Sequence, residues 1–278
     1  MIFSAAVWLK NQPSRWPGPD RVVAGVATPV AIAQPGDGIS AHAWRLSAQD
    51  RRFGGLSALV ADGGGLTALT DSGVVVRFEP PGPDGVLQVA LHDLPGGPGS
   101  PLQKANRDSE SLLRDPHGRG WWVGFETYHS LWRFDDGFYR VEQRQPLAVD
   151  WLPNYGGESV VEVGGRIAVL PERGGRAWGA SLVVPAWTSD ATRLPDGRLV
   201  LLHRAPTWRG LVNAVWIAGA KGAPGRLVPL GLGPIDNAEG IAAARRADGG
   251  VRLWIVSDDN FRPWMRTLLI AIDLPPGY

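Results

Sequence analysis

The sequence contains no cysteine, which excludes disulfide bonds and thiolate metal sites. It also has no apolar run that approaches the roughly 18 residues of a membrane-spanning helix. Basic and acidic residues nearly balance, with 28 Lys plus Arg against 27 Asp plus Glu, whereas nucleic-acid and membrane-surface proteins usually cluster a basic excess on one element. The composition therefore predicts a protein without a nucleic-acid or membrane partner.

Uninterrupted helix-forming stretches are scarce as well. The 37 Gly and 24 Pro among 278 residues would interrupt helices, while the 44% of hydrophobic residues is normal for a packed domain. No charge run or Pro/Ser-rich linker divides the chain. Residues 1–9 are mildly apolar but lack the basic start and cleavage site of a secretory leader. We therefore expect one all-β domain over residues 1–278, and the sequence leaves its location unknown.

A repeated pattern of two apolar strands joined by a Gly or Asp turn occurs five times, over residues 57–71, 110–126, 158–172, 190–204 and 239–258. Gly and Asp supply the positive φ that a tight hairpin needs. Third and fourth strands follow most repeats, and three or four antiparallel strands recurring at about 45 residues are typical of a propeller blade. The sequence predicts a β-propeller with five or six blades; a β-sandwich of similar hairpins is the alternative.

The last repeat lacks an outer strand, because the chain ends after its third strand. An N-terminal strand at about residues 42–46 is predicted to fill this place and close the ring.

The ends of the repeats carry an unusual set of residues. Residues equidistant from a hairpin turn face each other, so the first and last residues of each repeat are predicted to be cross-strand neighbours. These ten positions hold Ser57, Asp71, Glu110, Glu126, Glu158, Glu172, Asp190, Arg204, Glu239 and Asp258. Eight are acidic, whereas 27 acidic residues among 278 predict about one. In a propeller these positions would form a ring of carboxylates at one mouth of the central tunnel.

Such a ring favours a bound cation. Crowded carboxylates cannot all stay ionised unless their pKa values rise or a cation binds, and oxygen-only ligands suit Ca²⁺ or Mg²⁺. We expect a divalent cation, Ca²⁺ before Mg²⁺, and the predicted ligands are Glu110, Glu126, Glu158, Glu172, Asp190, Glu239, Asp258 and Asp259. A structural ion, or an acid–arginine network that merely fixes the blades, is the alternative.

Further roles follow if the mouth is catalytic. Glu126, Glu239 and His203 are candidates for proton transfer, and Arg204 is a candidate for stabilising developing negative charge. The predicted substrate contacts are Ser57, Asp71, Arg107 and Asn237.

The repeats resemble the family named "esterase-like activity of phytase". The stretches that carry the resemblance are FGGLSAL…ALTDSG (53–73), RDSESLLRDPHGRGWWVGFE (107–126), LPNYGGESVVEV (152–163), TRLPDGRLVLLHR (192–204) and DNAEGIAAA…RLWIVSDDNF (236–261). The resemblance covers about residues 40–274. It implies a β-propeller that hydrolyses ester or phosphoester bonds, in a family whose members are often exported.

Together these observations predict a metal-dependent hydrolase, expected to be a monomer, that acts on a small ester or phosphoester. Two alternatives stay open. One is a lactonase-like sugar-acid hydrolase. The other is a non-catalytic binding module that would stack ligands on its tryptophans, among them Trp121, Trp151, Trp187, Trp208 and Trp264.

Overall fold

The computed structural model describes residues 17–152 and 156–278, so the apolar start at residues 1–9 lies outside the described residues. The described chain folds into antiparallel strands, with two short 3₁₀ turns at Lys104–Asn106 and Ala220–Gly222. None of its helices is long and apolar enough to span a bilayer.

Four-stranded sheets form the first two blades. After β1 (Arg21–Val30) and β2 (Ser40–Ala48), the first blade comprises β3 (Leu56–Asp62), β4 (Gly65–Thr70), β5 (Val74–Phe78) and β6 (Val86–Asp93). The second blade comprises β7 (Ser109–Arg114), β8 (Trp121–Phe125), β9 (Ser130–Phe134) and β10 (Val141–Pro146).

The third blade is less regular than its neighbours. Its inner hairpin is β11 (Gly157–Val163) and β12 (Arg166–Pro171), and its outer part contains only the short pair β13 (Gly175–Arg176) and β14 (Val183–Val184). The fourth blade comprises β15 (Thr188–Arg193), β16 (Leu199–Thr207), β17 (Gly210–Ile217) and β18 (Arg226–Pro229). The fifth contains β19 (Asn237–Arg245), β20 (Val251–Asp258) and β21 (Leu268–Leu274).

The five innermost strands close into a ring. In the order β3, β7, β11, β15 and β19, each contacts the next, and β19 contacts β3. The prediction of a β-propeller is therefore confirmed, and the described residues form five blades.

An N-terminal strand completes the fifth blade, as predicted for residues 42–46. Strand β2 pairs with β21, with Ser40 opposite Asp273 and Arg45 opposite Leu268. Strand β1 then pairs with β2 on one side and with β6 on the other. The outer edges of the last and first blades are thereby joined into one nine-stranded sheet.

The core is divided among the five blade interfaces. Five clusters of buried apolar side chains lie between blades, and each draws its residues mainly from two adjacent blades. Phe125 and Leu69 share the cluster between the first two blades, for example, and Trp122 and Val160 share the next. Both faces of the inner strands are covered, so β4 and β8 are buried with little alternation, whereas the outer strands β2 and β6 alternate between buried and exposed residues.

Every inner hairpin contains a β-bulge near the tunnel mouth, which corrects the predicted register. The register shifts between Leu56 and Ala58 in the first blade and at the matching place in the other four. The extra residues are Ser57, Glu110, Glu158, Ser189 and Glu239. Asp71 consequently lies opposite Gly55, whose carbonyl accepts its N–H, rather than opposite Ser57.

Candidate functional site

A cavity of about 230 Å³ opens at the tunnel mouth where the bulges lie. It is lined by Asp71, Lys104, Glu110, Glu126, Glu158, Glu172, Arg204, Asn237, Glu239, Asp258 and Asn260. Seven of these side chains are carboxylates, and two are cations. Nine of the residues predicted from the sequence thus share one cavity.

Two repeated positions of the blades supply eight of these side chains. The bulge contributes Glu110, Glu158 and Glu239, and a β-bulge typically re-aims the side chain that it carries. The mouth-side end of the second strand contributes Asp71, Glu126, Glu172, Arg204 and Asp258, one from each blade. The acidic ring therefore follows from a fold element repeated around the axis.

The carboxylates form two overlapping trios. Oxygens of Glu110, Glu158 and Glu239 lie within 4.8 Å of one another, and so do oxygens of Asp108, Glu110 and Glu126. Glu110 belongs to both trios. Either trio presents three carboxylate oxygens close enough for one cation to contact all of them.

Arg204 balances one side of the mouth. Its guanidinium lies 3.0 Å from Glu172 and 2.9 Å from Glu239, and it donates to the Asn237 carbonyl at 2.8 Å. The Asn237 amide in turn donates to Glu239 at 2.7 Å. Burial lowers the pKa of Arg204, but the carboxylates around it outweigh burial and raise the pKa overall. Arg204 therefore stays charged, and Glu239 is held in place by two donors.

Lys104 supplies positive charge to the opposite side of the mouth, and no sequence pattern predicted this residue. Its ammonium lies 2.6 Å from Asp71 and 3.5 Å from Asp108. Lys104 is carried by the loop between the first two blades, outside the repeated hairpins. No repeat position marks it, and only its place six residues before Glu110 could have drawn attention to it.

Burial and repulsion from neighbouring carboxylates raise the pKa values of three other carboxylates of the mouth. Burial raises the pKa of Glu158 well above its usual value, and Glu126, Glu172 and Glu239 raise it further. Burial likewise raises the pKa of Glu110, with added repulsion from Asp108 and Glu158. Burial and Asp71 raise the pKa of Asp258. The mouth thus favours either protonation or a bound cation.

Asp190 and Ser57 were predicted for the site but lie outside the cavity. Ser189, not Asp190, occupies the bulge of the fourth blade. The Asp190 carboxylate accepts the N–H of Ala191 and that of Ile241, both at 2.8 Å, which ties the fourth blade to the fifth. Ser57 donates to the carbonyls of Leu69 and Ser109, so its hydroxyl links the first two blades.

Three further predicted residues also lie away from the cavity. Asp259 accepts the N–H of Gly55 at 2.9 Å and the Thr267 hydroxyl at 2.8 Å, which orders the loop after β20. The Arg107 guanidinium donates to the Pro98 carbonyl at 2.8 Å, within its own loop. His203 precedes Arg204 on β16, and successive side chains of a strand point to opposite faces. Burial lowers the pKa of His203.

A larger cavity, of about 900 Å³, lies elsewhere. It runs between the first two blades and is lined in part by Arg77, Arg114 and Trp121. Arg114 is paired with Asp136 at 2.7 Å, and the acidic residues there are spread along the rim. The groove is roomy but does not concentrate charged groups as the tunnel mouth does.

Comparison with protein families gives a match over the first three blades. The family described as "Phytase-like: Esterase-like activity of phytase" matches residues 51–182. This stretch is phytase-like. The predicted resemblance is confirmed here, over a shorter range than residues 40–274. The matched stretch contains six of the cavity's residues, from Asp71 to Glu172, and it points to a hydrolase in general terms.

No curated protein matches the chain in sequence. Among solved structures, Kuenenia stuttgartiensis hydrazine synthase aligns with a TM-score of 0.40 and 14% identity, over 74% of this chain and 77% of that one. A putative 6-phosphogluconolactonase from Bacteroides uniformis aligns with a TM-score of 0.39 and 13% identity, over 85% and 92%. The Neurospora crassa Pan2 WD40 domain aligns with a TM-score of 0.38 and 10% identity, over 82% and 91%. Likeness at this level transfers no activity to this chain.

Proposed function

We propose that the protein is a metal-dependent hydrolase of phosphoester or ester bonds, with its active site at the acidic tunnel mouth. The observation that carries this proposal is the pair of carboxylate trios that share Glu110. The phytase-like match over residues 51–182 supports the general class of reaction.

The charges of the mouth support a cation there. Among the described residues, neither Glu110 nor Glu158 has a basic side chain within 4 Å, whereas Glu239 has Arg204. Ionising all three at neutral pH would leave close negative charges uncompensated, and a divalent cation would relieve that repulsion. Oxygen-only donors fit Ca²⁺, with Mg²⁺ as the alternative.

Glu110, Glu158 and Glu239 would hold the cation. Bound there, it would supply Lewis acidity towards an ester or phosphoryl oxygen and a lowered pKa for water. The Arg204 guanidinium faces the same cavity and would stabilise negative charge on the substrate. Glu126, in the other trio, would accept a proton from the attacking water. His203 is not given this role, because it does not line the cavity.

A specific observation favours a second candidate function. Trp208 and Trp264 are 87% and 62% exposed, and both follow cavity-lining residues of their blades, Arg204 and Asp258. Large aromatic rings left in solvent are typical of ligand-stacking surfaces. A binding module that recognises its ligand without hydrolysing it would use the same mouth.

A substrate panel with matched variants tests the proposal. Phosphoester, carboxyl-ester and lactone substrates are assayed with Ca²⁺, with Mg²⁺ and with chelator. We expect hydrolysis of at least one class, lost in chelator, and a roughly 100-fold or larger fall in kcat for Glu126→Gln. Glu162→Gln is the control, because Glu162 lies at the far end of β11, where it pairs with Arg193.

Two results would count against the hydrolase. One is no turnover of any substrate class with either cation. The other is turnover that persists unchanged in chelator. Binding of a ligand without turnover, weakened by Trp208→Ala, would favour the binding module instead.

A further inference from the structure

Lys104 places an ammonium group between two carboxylates at the tunnel mouth. Its ammonium lies between Asp71, at 2.6 Å, and Asp108, at 3.5 Å. Asp108 is a member of the second carboxylate trio, with Glu110 and Glu126. The other oxygen of Asp108 accepts the Thr127 hydroxyl at 2.9 Å, so both of its oxygens have partners.

The loop that carries Lys104 is fixed over the mouth by its own contacts. The Asn106 amide donates to the Ser100 carbonyl at 3.1 Å, and Tyr128 donates to Asn106 at 2.5 Å. Arg107 donates to Pro98 across the same loop. The Lys104 backbone is therefore held near the second trio without any ion.

Lys104 remains charged in this setting. Burial lowers its pKa, but Asp71, Asp108 and Glu110 outweigh burial, so the pKa of Lys104 stands well above its ordinary value. A second divalent cation in the trio of Asp108, Glu110 and Glu126 would face this ammonium at close range. Like charges so near each other repel strongly where water is scarce.

Arg204 and Lys104 differ in how they affect the two carboxylate trios. Arg204 contacts Glu239 of the first trio, but it is also held by Glu172 and Asn237 to one side. Glu110 and Glu158 of that trio have no basic neighbour within 4 Å among the described residues, so two of its three carboxylates remain for an ion. In the second trio, Asp108 has both oxygens engaged, and Glu110 is shared with the first.

We propose that Lys104 is a built-in cation that stands in for a second metal ion, so that the mouth binds one divalent cation, at Glu110, Glu158 and Glu239. This inference rests on the metal site proposed above and specifies how many ions that site takes. Lys104 would thereby limit the mouth to one bound metal ion, although the mouth contains two carboxylate trios.

Counting bound calcium tests the inference without any enzyme assay. The wild-type protein, Lys104→Gln and Lys104→Arg are equilibrated with about 1 mM Ca²⁺, a concentration chosen to saturate one site. Bound ions per chain are then measured by plasma mass spectrometry and by calorimetric titration. We expect one ion for the wild type, two for Lys104→Gln, which loses the charge, and one for Lys104→Arg, which keeps it.

The outcomes separate this inference from the proposed function. One ion in both the wild type and Lys104→Gln, or two in the wild type, would overturn the role of Lys104 and leave the metal site standing. No ion in any of the three proteins would remove the metal site itself. Circular dichroism is recorded first, and Lys104→Met, which keeps the length of the side chain, replaces the glutamine variant if that variant does not fold. Two bound ions in the wild-type protein would contradict the inference, whichever variant is used.

Discussion

Glu158 and Glu239 occupy equivalent bulges but have different neighbours. Among the described residues, Glu239 interacts with Arg204 and Asn237, whereas Glu158 faces carboxylates without a basic group within 4 Å. The same side chain at the same fold position is therefore ion-paired in one blade and surrounded by like charges in another. The charges of its neighbours, not the place of the residue in the repeat, decide what its removal does.

In the metal-free protein, Glu158→Gln should leave the melting temperature unchanged or raise it, because one repulsive charge is removed. Glu239→Gln should destabilise the fold by about 2 kcal/mol, since charged hydrogen bonds to Arg204 and Asn237 are weakened. Thermal and urea unfolding in chelator measure both effects. Calcium should raise the melting temperature of the wild type and do so far less for Glu158→Gln. If both variants melt well below the wild type in chelator, the ring of carboxylates has a structural role instead of a metal-binding one.

Strand β19 approaches β3 closely just beyond its bulge. A Cβ on Gly240 would lie 2.7 Å from the Ala58 carbonyl carbon and 2.8 Å from a Val256 methyl. Only glycine allows the inner strands of the fifth and first blades to approach this far. The position of the Glu239 bulge depends on that contact.

Gly240→Ala should therefore cost about 1–3 kcal/mol, as overpacking of a close-packed interior does, and should weaken calcium binding by displacing Glu239. Urea unfolding and calorimetric titration give the two numbers. Gly65→Ala serves as control, because the nearest atoms to its Cβ, Asp62 O and Phe78 O, are 3.7 Å away. Equal stability of the two variants would show that the inner strands can move apart freely.

The bulges explain which residues of the site could be predicted from the sequence and which could not. The turns are marked by Gly and Asp, so the ends of the second strands were located correctly, and Asp71, Glu126, Glu172, Arg204 and Asp258 all line the cavity. A bulge adds one residue without a turn signal, so symmetry about the turn assigned Asp190 to the place of Ser189. The outer part of the third blade is reduced because residues 173–187 contain three Gly and one Pro, which interrupt strands.

Across the whole molecule, the closing strand β2 connects two blade interfaces. Ala41 and Ala43 pack in the cluster between the fourth and fifth blades, and Leu46 packs in the cluster between the fifth and first. The fourth, fifth and first blades are thus linked through one strand.

Leu46→Ala should lower the free energy of unfolding by about 2–5 kcal/mol, the usual cost of emptying a core position. We expect one cooperative transition, because opening the fifth blade exposes both neighbouring interfaces. Leu227→Ala, on the outer strand of the fourth blade and 59% exposed, should change stability by less than about 0.5 kcal/mol. Urea denaturation followed by tryptophan fluorescence measures both. Two separate transitions for Leu46→Ala would mean that blades unfold independently.

The pairing of β2 with β21 also governs how the protein is made. On the ribosome β2 (Ser40–Ala48) emerges long before its partner β21 (Leu268–Leu274). Until then the nascent chain carries an unmatched strand edge, which is the kind of surface that templates aggregation. Long-range strand pairing of this sort folds slowly, and the ring can close only after β21 has been translated. A chaperone that shields β edges during translation would be expected to raise the yield of folded protein.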